Sequence, residues 1–218
     1  GTYSLKTHMK ASDVAKILSD QSQAGGFVEV RAGERVSDVI TAAAQASGKD
    51  VSEFQSVIDG GGDGILPSEA GGKFEGWFEP GTYDAQNKSA EDIIKAMVEA
   101  RIAKLDKLGV PTGSDRERIL IIASIAESEV GSEQYYGKVA RVILNRIDAG
   151  MPLGMDTTVA YGLGISASQL TDDQLNDSSN PYNTRINKGL PPTPISNPGD
   201  GAITAAMDPP EGKWLYFV

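Results

Sequence analysis

The sequence predicts an α+β protein: a small β-α module at the front, then a larger mixed domain built around one buried helix. Three observations carry this. The first fifty residues hold a strand-turn-helix pattern twice, at a constant offset of 25 positions. The middle holds a helix that is apolar on almost every side. The last third is rich in Pro, Asn, Ser and Thr and has few periodic runs.

In the repeat, Tyr3-Ser4-Leu5-Lys6 aligns with Val28-Glu29-Val30-Arg31, and Ser12-Asp13-Val14 aligns with Ser37-Asp38-Val39. Each copy reads as a short alternating strand followed by a helix with Ser at its N-cap. Val51 to Ile58 reads as a short helix. Asp59 to Gly64 reads as a linker, since it lacks the Lys and Ser or Thr of a phosphate-binding loop. Lys73 to Tyr83 alternates aromatics with acids and glycines and reads as a strand ending at the Pro80-Gly81 turn. Glu75 beside Gly76 is unusual in a strand interior and is a candidate site residue. Ser89 and Asp92 open a packing helix with the apolar stripe Ile94, Met97, Val98, Ile102 and Leu105, closed by Gly109.

The central helix begins at Ser114, which forms a capping-box pattern with Glu117. Ile119 to Ala126 is almost wholly apolar, and Glu127 and Glu129 fall in the last turn. Acids there meet the negative end of the helix dipole, and burial further disfavours their charge. Both effects favour the protonated form that a general acid needs. Two residues on a helix rotate by roughly 200°, so the two Glu face opposite ways. Glu127 continues a row of small residues, Ala123 and Ser124, which leaves room for a ligand and favours it as the chemical group. The competing reading sets both Glu at a solvated helix end.

Ser132 opens a further helix to Ala149, with Val139, Val142, Ile143 and Ile147 inward and Asn145 able to face the same cavity as Glu127. Beyond it, Asp156 to Tyr161, Tyr182-Asn183-Thr184 and Gly189 to Gly199 form a proline-stiffened wall. Its hydroxyls and amides suit sugar hydroxyls and N-acetyl groups.

Composition narrows the function. Acidic residues outnumber basic ones 30 to 20 with no basic cluster, which argues against nucleic acid and against a polybasic membrane patch. With no Cys and the single His8, thiol chemistry and Cys or His-rich metal sites are excluded. The longest apolar run is too short to span a bilayer, and no signal peptide is visible. Strand-like residues at both ends, Thr2 to Leu5 and Trp214 to Val218, read as cut termini.

These pieces together resemble the endolytic murein transglycosylases of the MltG/YceG-like family. The resemblance rests on Phe74 to Tyr83, Ala123 to Glu129, Val142 to Arg146, Asp156 to Tyr161, Tyr182-Asn183-Thr184, Gly189 to Pro192, Pro194 to Gly199 and Leu215 to Val218, in that order. It implies an N-terminally cut LysM-like module over residues 1–60 and a C-terminally cut catalytic domain over 61–218. It implies a single-pass membrane protein, anchored by a helix outside this chain, with the enzyme part extracytoplasmic. The catalytic Glu maps onto Glu127. Glu75, Asn145, Asp156, Thr158, Tyr182, Asn183, Thr184, Leu190 and Pro192 are the candidate substrate contacts. The implied partners are peptidoglycan glycan strands and cell-wall synthases, without metal or organic cofactor. The implied reaction breaks the bond between MurNAc and GlcNAc and leaves 1,6-anhydro ends, limiting nascent glycan length. Departures are Gly81, where the family usually has Asp, Glu79, where an apolar residue is common, and the missing continuation past Val218. The alternatives are a muramidase using Glu75 or Asp156 as second carboxylate, and a wall-binding scaffold without turnover.

Overall fold

The computed structural model describes residues 3, 5–19 and 26–217. It is mixed α and β, dominated by helices, with one two-stranded sheet among the described residues. The elements are α1 (Ala11–Ser19), β1 (Phe27–Val30), α2 (Val36–Ser47), α3 (Val51–Asp59), β2 (Gly81–Asp84), α4 (Ala90–Lys107), α5 (Ser114–Glu129), α6 (Tyr136–Asp148), α7 (Asp156–Leu163), α8 (Asp172–Leu175) and α9 (Asp200–Met207). None of the helices is long and apolar enough to cross a membrane.

The sheet forms between distant segments. β1 pairs antiparallel with β2, Val28 opposite Tyr83 and Val30 opposite Gly81. Val28 and Val30 point inward to meet Val39 and Ile40 of α2, Phe54 of α3, Phe74, Phe78, and Ile93, Ile94, Met97 and Val98 of α4. A second core surrounds α5, whose Leu120 to Ala126 meet Val139, Ala140 and Ile143 of α6, Ala202 and Ile203 of α9, and Trp77, Leu153 and Ile195. Ile102 of α4 and Leu66 pack against both cores, so α4 ties them together.

Several local expectations shift. The first expected strand includes Ser4, outside the described residues, and Leu5 and Lys6 carry no regular structure. Ser37 lies inside α2, whose N-cap is Arg35. Ser114 is the first residue of α5, after an N-cap at Gly113. The expected capping box does not form, because Glu117 is drawn inward and accepts from Trp77 Nε1 at 2.9 Å. Residues 73–79 are turns, not strand: Gly76 has φ +87°, and the Trp77 N–H donates to the Phe74 carbonyl at 2.9 Å. This tight path buries Phe74, Glu75, Trp77, Phe78 and Glu79 together, which an alternating strand would not do.

Candidate active site

At the end of α5, Glu127, Ser128 and Glu129 fan out at about 100° per residue. The middle one, Ser128, lines a polar pocket of about 540 Å³ together with Gly33, Thr157, Gly164, Gln169 and Ile195. Neither carboxyl lines it, but each touches a residue that does: Glu127 abuts Gly33, and Glu129 bonds Thr157. Glu127 is half-buried. Its Oε1 accepts from the Tyr136 hydroxyl at 3.1 Å and its Oε2 from the Gly199 N–H at 2.9 Å. Burial and the neighbouring Glu127 carboxyl push the Tyr136 hydroxyl up to about 12, so it stays a donor at neutral pH. A Cβ on Gly199 would lie 3.1 Å from the Ala32 Cβ, so the close approach there favours glycine. Glu129 accepts from the Thr157 hydroxyl on the other flank. Burial raises its pKa, against the opposing pulls of Thr157 and Arg146.

The small-residue row before Glu127 does not leave open space. Ala123 and Ser124 are fully buried, covered by the 194–199 loop. Ile195 N–H donates to Ser124 Oγ at 3.0 Å, and Ser196 Oγ lies 3.3 Å from the Ser124 carbonyl. Protein fills the room that the sequence reading reserved for a ligand. What brings Glu127 to the edge of the pocket is its position at the helix end beside Gly33, which lines it.

A second pocket, of about 400 Å³, shares Arg35, Ser37 and Gly164 with the first, so the two form one continuous groove. Lys73, Glu75, Tyr161, Tyr182 and Thr193 also line it. Glu75 is buried; its carboxyl accepts from the Val36 N–H, at 3.1 and 3.2 Å to its two oxygens, and from the Tyr161 hydroxyl at 3.0 Å. Burial pushes it up to about 7 despite these donors and Arg35. Tyr161 and Tyr182 lie with ring centroids 4.9 Å apart, and the Tyr182 hydroxyl shares a 2.7 Å hydrogen bond with Thr193. The Arg35 guanidinium sits 5.4 Å over the Tyr161 ring and donates to the Ile165 carbonyl at 3.0 Å.

The remaining candidates lie elsewhere. The Asn145 amide donates to the carbonyls of Gly212 and Trp214 and holds the C-terminal segment. Asp156 pairs with Arg185 at 2.7 Å on the surface. Thr158 and Thr184 are buried and bonded to each other at 2.8 Å. Asn183 is 0% exposed, its amide donating to the carbonyls of Leu175 and Asp177. Leu190 lines a separate cavity with Glu69 and Glu117, and Pro192 is exposed. The groove thus gathers Glu75 and Tyr182 in its wall and Glu127 at its margin. Asn145, Thr158, Asn183 and Thr184 satisfy backbone and hydroxyl groups of the surrounding loops. Sequence reasoning did not single out Gly33, Arg35 or Tyr136; Lys73, Thr157 and Gly199 fell within stretches it picked out, but without a role of their own.

An endolytic murein transglycosylase of Bacillus subtilis (strain 168) is 34% identical over 149 residues, 66% of this chain and 41% of that protein. One from Streptococcus pneumoniae serotype 2 is 28% identical over 165 residues, 71% of this chain and 29% of that protein. The chain therefore spans less than half the length of these relatives. The crystal structure of a yceG-like protein from Listeria monocytogenes superposes with a TM-score of 0.77 at 27% identity, covering 99% of this chain and 78% of that one. The YceG-like family model matches residues 1–218, and with that match along its whole length the chain belongs to the YceG-like family.

Proposed function

We propose that this chain is the catalytic part of a lytic transglycosylase that cuts peptidoglycan glycan strands internally, with Glu127 as acid and then base. The observation that carries the reading is the Glu127 carboxyl, held at a groove margin by a tyrosine hydroxyl and a backbone N–H. Each carboxyl oxygen keeps a further lone pair for a substrate hydrogen. The names of the relatives support the substrate.

In this mechanism Glu127 gives its proton to the glycosidic oxygen as the C1–O bond of MurNAc breaks, and the GlcNAc end leaves as an alcohol. The carboxylate then takes the proton of the MurNAc 6-hydroxyl, whose oxygen closes on C1 to give the 1,6-anhydro ring. No water enters and charge balances. Tyr136 and Gly199 donate to the carboxylate formed between the two steps. The same reading takes residues 1–60 as a LysM-like wall-binding module and sets the catalytic part outside the cytoplasmic membrane, where glycan strands and their synthases lie.

Hydrolysis is the second reading. Glu129, on the opposite flank of Ser128, supports it as a second carboxyl; Asp156 is a weaker candidate because Arg185 occupies it. Glu127→Gln assayed on isolated murein tests the main reading. Loss of cleavage by about 100-fold or more is expected, and undiminished release of fragments from the variant overturns it. Mass spectrometry of wild-type products separates anhydro ends from ends one water heavier. Binding to sacculi without any release supports a scaffold instead.

A further inference from the structure

The groove is charged differently from the rest of the protein. The chain carries a net charge of -10, so most of its surface repels anions. Yet Arg35 and Lys73 both line the 400 Å³ pocket, and Arg35 also stands in the wall shared with the pocket beside Glu127. Among the described residues neither cation has a carboxylate within ion-pair distance. One Arg35 nitrogen bonds the Ile165 carbonyl, and the guanidinium is held over Tyr161. Lys73 is exposed at the pocket rim. Two carboxyls line the groove: Glu75 turns inward and spends its oxygens on Val36 N–H and Tyr161, and Asp38, in the pocket beside Ser128, accepts from the Arg35 backbone N–H at 3.0 Å. The start of α2, with its positive dipole end, opens on the same space at Ser37. A fixed planar guanidinium and a mobile ammonium across one small pocket suit a carboxylate.

We propose that the Arg35–Lys73 part of the groove binds a carboxylate carried by the muramic acid residues of the strand. That carboxylate belongs either to the peptide stem or to the lactoyl arm exposed when the stem is removed. The inference rests on the peptidoglycan reading above and adds to it a subsite that reads what the sugar carries. It makes the pocket a specificity site, separate from the bond-breaking group.

The test measures affinity in a Glu127→Gln background, so that ligands survive. Three soluble oligosaccharides of equal length serve as probes: stem-bearing strands, amidase-stripped strands and chito-oligosaccharide. Lys73→Gln and Arg35→Gln are each expected to weaken carboxylate-bearing ligands about tenfold, the size of one hydrogen bond to a charged group, and to leave chito-oligosaccharide unchanged. A loss confined to stem-bearing strands assigns the stem carboxylate; a loss confined to amidase-stripped strands assigns the lactoyl carboxylate, which is an amide while the stem is attached; a loss on both muramic ligands shows that the subsite takes either carboxylate. Equal losses on all three probes, or no loss on any, overturn the proposal. Lys73 is exposed, so its variant keeps the test decisive where Arg35→Gln disturbs the Tyr161 contact. If the Glu127→Gln protein still cuts strands, the catalytic reading falls while the affinity comparison, repeated on uncut ligand, still decides this one.

Discussion

Glu75 makes stability fall as pH rises, in a way one substitution isolates. Its carboxyl titrates near 7 in the folded protein against 4.5 ordinarily. The native state therefore holds a proton that the unfolded chain releases, and the associated stability is fully present below pH 4.5 and lost as pH rises through about 7. The facing groups are the Val36 N–H, the Tyr161 hydroxyl and Arg35, which favour the charged form, and Asp38, which opposes it; burial outweighs them all. That separation is worth about 3 kcal/mol, of which about 2.5 kcal/mol disappears between pH 5 and pH 8. Glu117, Glu79 and Glu129 also titrate above their ordinary range because of burial, so wild-type stability alone cannot isolate Glu75. Glu75→Gln can, because Gln keeps the neutral shape and the acceptor for Val36. Urea unfolding of both proteins at pH 5 and pH 8 gives two stability gaps. The gap should move by about 2.5 kcal/mol toward the variant at the higher pH. A gap constant to within about 0.5 kcal/mol refutes the reasoning, since that is the scatter of independent effects.

Other outcomes follow from neighbouring contacts. Gly76→Ala puts a side chain on a residue at φ +87°, with its Cβ 2.5 Å from the Pro194 Cγ; a stability loss of about 3 kcal/mol is expected in urea unfolding, from left-handed strain plus overpacking. Glu79→Ala leaves the fully buried Arg101 without its 2.9 Å carboxylate partner, and should cost about 3–5 kcal/mol by the same assay. Tyr136→Phe removes one of the two donors to Glu127; kcat on murein should fall about tenfold with Tm unchanged, and full activity would remove Tyr136 from the site.

The parts legible in the sequence were those whose signal is local. α4 and α5 follow from apolar periodicity, and Ser89 caps α4 by accepting from Asp92 N–H at 3.0 Å. What failed was decided by residues far along the chain. Glu117 fits a capping box by spacing, yet Trp77, 40 residues away, takes its carboxyl. Glu127 was reached from its helix, but its Gly199 partner is 72 residues on, and no local pattern links them. Asn183 and Thr184 carry the side chains a sugar site would use. They lie inside because irregular backbone must find hydrogen-bond partners once it is buried, and short polar side chains supply them. Arg35 carried no signal in the sequence, because its contacts, Tyr161 and Ile165, come from α7 and the turn after it.

The geometry at Glu127 depends on how firmly the loop that carries Gly199 is held. That loop has no regular structure from Leu190 to Gly199, so its order comes from side chains. Asn197 accepts from the Phe78 N–H at 3.0 Å and donates to the Glu34 carbonyl at 3.0 Å. Its backbone exchanges two 2.8 Å bonds with Gly33 and Glu34. Arg101, buried in α4, donates to the carbonyls of Phe78 and Pro198. The segment after β1, the turn before β2 and the loop before α9 are thus clamped to one another at the place where Gly33 and Gly199 meet Glu127. Glu79 serves the same clamp: with Arg101 buried to reach Pro198, its charge needs a counter-ion, and Glu79 stands at 2.9 Å. An apolar residue at 79 would leave that guanidinium unpaired, so Glu79 and Arg101 together form one device for holding the Gly199 N–H against the carboxyl.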